Sequence, residues 1–130
     1  MRLLLDTHVF VWFIDGDPTL PAAIERAISD PGNEVFLRVA AVWEASIKYH
    51  LGKWRLSTPP EILFPEQRQR HRIASVPVDE DSVAAAATLP LLHRDPFDRI
   101  MIGQAIFYEL WLVTMDRAIR SYPMAPIFAP

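Results

Sequence analysis

The sequence predicts an α/β fold, a mainly parallel sheet covered by helices on both faces. Three observations lead there. Short apolar segments at residues 3–5 (LLL), 34–37 (EVFL), 73–78 (IASVPV) and 110–114 (LWLVT) read as strands. They alternate with stretches that carry helix punctuation. They are also apolar on both faces, as strands are when helices cover the sheet on both sides.

Residues 3–5 run into Asp6, and VFVWFI at 9–14 follows as a short helix that DGDP breaks. Residues 21–29, PAAIERAIS, are helix formers with proline at the start, closed by the turn DPGN. After EVFL, residues 40–51 (AAVWEASIKYHL) place Val42 or Trp43, Ile47 and Leu51 at helical spacing, and Gly52 stands where a C-terminal cap belongs. Residues 58–72 hold three prolines and the basic run RQRHR, which predicts a broken helix with a connecting loop. IASVPV is the third strand, and DEDSVAAAATL follows as an acid-started, alanine-rich helix. In LLHRDPFDRIMIGQA, Asp95 suits an N-cap, Pro96 the first helical position and Asp98 the third. That helix is apolar nearly all round, hence buried, and LWLVT is a last, central strand leading to Asp116.

At 130 residues the chain is read as one domain, 1–130, with one real core. The longest apolar runs are interrupted by Asp6, Asp15 and Glu109, so no membrane span is expected. Asp6 also breaks the N-terminal apolar run before a secretory signal could form, which assigns the chain to the cytoplasm. With no cysteine there are no disulfides and no thiolate metal sites. A net charge of −3 argues against a broad basic face for nucleic acid, though not against a local basic rim. Of the 13 basic residues only Lys48 and Lys53 are lysine, and arginine is the side chain better suited to bidentate phosphate contacts.

In parallel sheets ligands gather beyond the carboxyl ends of the strands. Asp6 follows the first strand and Asp116 the last, Asp95 and Asp98 open the helix before the last, and Glu44 lies about one turn into the helix after the second. Each acid also has a plain structural use, as a turn or N-cap residue or, for Glu44, as the i, i+4 partner of Lys48. Together they form a different object, because clustered carboxylates repel and need protons or a cation to neutralise them. Oxygen ligands without cysteine or an evident histidine pair suit Mg²⁺ or Mn²⁺. Such a site is fitted to hydrolysis at phosphorus, with Arg94 and Arg99 placed to hold substrate phosphates.

LLLDTH, VWEASIKYHLGKWRL, LPLLHRDPFDRIMIGQA and LVTMD, in this order and spacing, resemble the PIN-domain ribonucleases, in particular the VapC-type toxins of bacterial toxin–antitoxin pairs with a DPFDR block. The resemblance covers nearly the whole chain. It implies a three-layer α/β/α sandwich and a Mg²⁺- or Mn²⁺-dependent endoribonuclease. It also implies a homodimer in many cases, and inhibition by a cognate antitoxin protein. Residue by residue, it carries catalytic and metal-binding roles to Asp6, Glu44, Asp98 and Asp116. Asp95 matches an extra acid of the subgroup and ranks below Asp98. Thr7 and Thr114 match hydroxyls beside the site and join Arg94 and Arg99 as substrate-binding candidates. His8 and His93 are read as polar support. The chain departs from the family where RVAAVWE puts Arg38, Val39 and Ala41 in place of serines, and where Gly103 replaces an alanine.

A phosphate-receiver domain would need adjacent acids after the first strand and a lysine after the last, where this chain reads DTH and TMD. A haloacid-dehalogenase-type phosphatase would need a second acid where His8 stands. A non-catalytic binding module is the remaining alternative. In it some of Trp12, Trp43, Trp54, Trp111, Phe10 and Phe13 form a partner surface, whereas the plainer use of such residues is core packing.

Overall fold

The computed structural model describes residues 1–130. The elements run β1 (Arg2–Leu5), α1 (Thr7–Asp15), α2 (Ala22–Ser29), β2 (Glu34–Arg38), α3 (Val39–His50), α4 (Pro60–Arg70), β3 (Ala74–Val76), α5 (Glu80–Ala87), α6 (Pro96–Phe107), β4 (Trp111–Val113) and α7 (Arg117–Arg120). The strands pair in the order β3-β2-β1-β4, all parallel. Alternation along β1 divides the core in two. Leu3 and Leu5 join the apolar cluster of α1 to α4, while Leu4 faces Met101, Ile102 and Ala105 of α6. A sheet with an apolar cluster on each face is a three-layer α/β/α sandwich.

Register explains where polar side chains meet. Leu5 lies opposite Leu37 on one side and Val113 on the other. The next residues, Asp6, Arg38 and Thr114, therefore stand side by side at the carboxyl edge of the sheet. Strand β4 ends the four-strand order and is not central as the sequence suggests. Its outer edge is covered by the C-terminal segment, through Leu112 N to Pro126 O at 2.7 Å and Phe128 N to Leu112 O at 2.9 Å.

The expected break within residues 58–72 is absent, and α4 runs unbroken. Pro59 and Pro60 sit at its N-cap and first helical position, where no intrahelical donor is lost. Pro65 does lie inside the helix, but its neighbour Phe64 is wholly buried edge-on to Phe10, with ring centroids 4.9 Å apart, and anchors that turn. Helix α6 is buried through Met101–Ala105, and its last turn, Ile106 and Phe107, is exposed. Gly52 follows α3 with φ +75°, the left-handed conformation that ends a helix at little cost to glycine.

Candidate metal centre

The carboxyl edge of the sheet holds Asp6, Glu44 and Asp98, all buried. Asp6 precedes α1 without capping it. Its Oδ2 accepts from Thr114 Oγ1 at 2.7 Å instead, leaving the carboxylate at the sheet edge. Glu44 sits in the second turn of α3. Its Oε1 accepts from Thr7 Oγ1 at 2.9 Å and Arg38 Nη2 at 3.0 Å, and its Oε2 from Lys48 Nζ at 3.0 Å. Asp98, at the third position of α6, accepts from His93 Nε2 through Oδ2 at 2.7 Å.

Electrostatics separate the three acids. Burial pushes Asp98 up to about 6, with the neighbouring charges of Asp95, Asp6 and Glu44 adding to the rise against the His93 hydrogen bond. Burial also raises Asp6, more than its Thr114 bond and the Arg38 charge lower it. Burial acts the same way on Glu44, but Arg38 and Lys48 outweigh it and hold that carboxyl below its ordinary range. Two of the three acids thus hold a proton more readily than a free carboxyl does, and the third less readily.

His93, Asp95 and Asp98 each offer a ligand atom, and these atoms lie within 4.8 Å of one another. An oxygen-rich donor set with one imidazole, beside the buried carboxylate of Asp6, fits a divalent ion. Asp95 is also the N-cap of α6, with Oδ1 accepting from Phe97 N at 2.9 Å and Asp98 N at 3.4 Å. Its structural and site uses therefore coexist.

Several sequence-predicted residues stand differently from expectation. Asp116 is exposed and caps α7, accepting from Ala118 N at 2.8 Å, while its own amide donates to Thr114 Oγ1 at 3.1 Å. It reaches the network through its backbone. Thr7 and Thr114 are buried, and their hydroxyls are engaged with Glu44 and Asp6 and orient those carboxylates. The guanidinium of Arg99, expected to hold substrate phosphates, is engaged by Pro90 O, Tyr122 Oη, Ala86 O and Leu89 O at 2.9–3.2 Å and braces the α5–α6 connection. Arg94 is exposed at the start of α6 and makes no hydrogen bond or ion pair within the chain. Among the aromatics, Phe10 is core, Trp12, Phe13 and Trp54 are half-buried, and Trp43 and Trp111 are exposed.

Two residues of the site, His93, read as polar support, and Arg38, read as a departure from the family, are held in place by named contacts. His93 is tied in place by Tyr122 Oη, which accepts from its N–H at 3.0 Å and donates to its carbonyl at 3.1 Å. Arg38 is wholly buried at the end of β2, beside Glu44. An arginine closing an apolar strand next to the acid-bearing helix was the one available signal for it.

Known proteins share the sequence pattern and the fold of this chain. Ribonuclease VapC22 of Mycobacterium tuberculosis is 29% identical over 121 residues, covering 92% of this chain and 91% of the relative. Among solved structures, that of VapBC2 from Rickettsia felis bound to a DNA fragment from their promoter has a TM-score of 0.72 at 15% identity, covering 98% of both chains. VapBC-1 from nontypeable Haemophilus influenzae has a TM-score of 0.64 at 14% identity, covering 94% of this chain and 92% of the other. These two likenesses concern the fold. The PIN domain family model matches residues 3–123, a span that contains all of the strands but Arg2 and every acid of the cluster, and the chain belongs to that family.

Proposed function

We propose that this protein is a divalent-metal-dependent endoribonuclease of the VapC type, with residues 1–130 acting as one catalytic domain. The observation that supports this most is the buried cluster of Asp6, Glu44 and Asp98 at one sheet edge, with Asp98 pushed up to about 6. Such a cluster calls for a cation. In this reading Asp6 and Asp98 hold Mg²⁺ or Mn²⁺ with Glu44 beside them, Asp95 and His93 complete the donor set, and Asp116 contributes at the rim. When bound, the ion would lower the pKa of water and stabilise charge developing at phosphorus. The chain's own residues do the rest. Thr7 and Thr114 fix the orientation of Glu44 and Asp6, and Tyr122 holds His93 against Asp98. Arg94, free at the rim, contacts the RNA backbone. By family resemblance the products are a 5′-phosphate and a 3′-hydroxyl.

A cognate antitoxin protein and a second copy of the chain are the partners we propose. The exposed stripe Val39, Trp43, Ile47 and Leu51, four residues apart along α3, supports a protein-binding face. The test is cleavage of a labelled total-RNA pool by the purified protein with Mg²⁺, Mn²⁺ or EDTA, beside Asp98→Asn. Cutting that needs metal and disappears in the variant is expected. Cutting that persists in EDTA or in Asp98→Asn would overturn the reading. Absence of cutting in every condition, with a bound inhibitory protein excluded by mass, would favour the binding-module alternative.

A further inference from the structure

Arg38 is the bulkiest wholly buried side chain in the molecule. One of its terminal nitrogens, Nη2, donates to Glu44 Oε1 at 3.0 Å and to Thr7 Oγ1 at 3.2 Å. The other two, Nε and Nη1, are buried without any partner. Leaving guanidinium donors buried and unpaired is costly, so hydrogen bonding alone does not account for this residue. Its charge does. It closes β2 one residue past the Leu5–Leu37 pair, level with Asp6 just after β1, and it lies against Glu44 on α3.

We propose that Arg38 is a built-in cation for the carboxylate cluster, neutralising its Glu44 side in the metal-free protein and competing there with a divalent ion, so that it sets the metal affinity of the site. The inference rests on the metal-dependent reading above. Both oxygens of Glu44 are already ion-paired, Oε1 with Arg38 and Oε2 with Lys48. Lys48 is 31% exposed and can swing into water, whereas Arg38 is 0% exposed and wedged in place. Asp6, Asp95 and Asp98 make no ion pair with arginine or lysine, and they are the carboxylates open to a metal. Two positive centres cannot share Glu44 Oε1 without strong repulsion. Arg38 therefore stabilises the empty site and weakens the loaded one. A merely structural arginine would do the first and not the second.

The experiment measures Mn²⁺ binding by calorimetry and by the spin resonance of free Mn²⁺, together with thermal unfolding in EDTA and in Mn²⁺. Wild type, Arg38→Gln and Arg38→Lys are compared. Arg38→Gln is expected to bind Mn²⁺ at least about tenfold more tightly than wild type, since one charge is removed beside the ion, and to unfold at a lower temperature in EDTA. Arg38→Lys, which keeps the charge, is expected to stay close to wild type in affinity. An Arg38→Gln protein that is unfolded in EDTA and folded in Mn²⁺ would support the same conclusion. Unchanged or weaker Mn²⁺ affinity in a folded Arg38→Gln would overturn it, and so would a variant unfolded in both conditions. Asp98→Asn separates this inference from the reading beneath it. If wild type binds Mn²⁺ and Asp98→Asn does not, the metal centre stands even when Arg38→Gln changes nothing.

Discussion

Asp98 gives the metal-free protein a response to pH in the mildly acidic range. Its carboxyl rises from 3.8 to about 6, so between those values the folded chain binds more protons than the unfolded one. Its contribution to stability is therefore complete below pH 3.8 and is lost as pH rises through about 6; Asp6, also raised, has the same sign. Glu44 works in the opposite direction and is common to both proteins in a comparison of wild type with Asp98→Asn. The unfolding temperature of wild type minus that of the variant, in EDTA, should fall across this interval. Stabilisation by Mn²⁺ should grow over the same interval, because the metal requires the ionised carboxylate. A difference independent of pH would contradict the assignment. Tyr122 offers a second residue-scale test. Its hydroxyl joins Arg99 to both backbone groups of His93, so Tyr122→Phe should cost ~1–3 kcal/mol in urea unfolding and reduce cleavage by releasing His93 from Asp98.

Helices α5 and α6 approach unusually closely, and Gly103 is the reason. A Cβ at that position would meet Ala86 N and Ser82 O at 2.7 Å, contacts with backbone that no rotamer change relieves. Gly103→Ala should therefore destabilise by ~1–3 kcal/mol, read as a lower denaturant midpoint, even though alanine is the better helix former. Both helices start where the sequence says they do. Asp79 accepts from Ser82 N at 2.8 Å in a capping box, and Asp95 caps α6 from the residue before Pro96. Caps and turn residues act over three or four positions, so they are legible locally. The continuity of α4 through Pro65 was not, because its anchor, Phe64 against Phe10, joins segments 54 residues apart in sequence.

The sheet is completed by the chain's own C-terminus. Residues 126–128 bond to Leu112 along the free side of β4, and Phe128 is buried in the cluster under α1 to α4. Deleting residues 126–130 would expose a row of unpaired backbone groups and remove an apolar anchor. The truncated protein should unfold at a lower temperature and self-associate with rising concentration in light scattering. If it stayed monodisperse and as stable as the full chain, the segment would be a passive covering.

The sequence by itself determined the strands, the helices other than α7 and the unbroken run of α4, and the presence of acids at strand and helix ends, since each of these follows from residues within a turn or two of one another. From these came the sandwich and the carboxyl edge as the place for a site. The pairing of Glu44 with Lys48 and the cap by Asp95 were legible locally, but only the tertiary structure decided what else the acids touch. Thr7 meets Glu44 across 37 residues and Thr114 meets Asp6 across 108, distances at which strand register and not local pattern chooses the partner. Packing at that edge also turned Arg38 from an apparent departure into the counter-charge of Glu44, six residues on, and set His93 against Asp98, five residues on. It also engaged Arg99 and Asp116 elsewhere, because a buried donor or a helix end takes whichever partner the packed chain brings within hydrogen-bond reach.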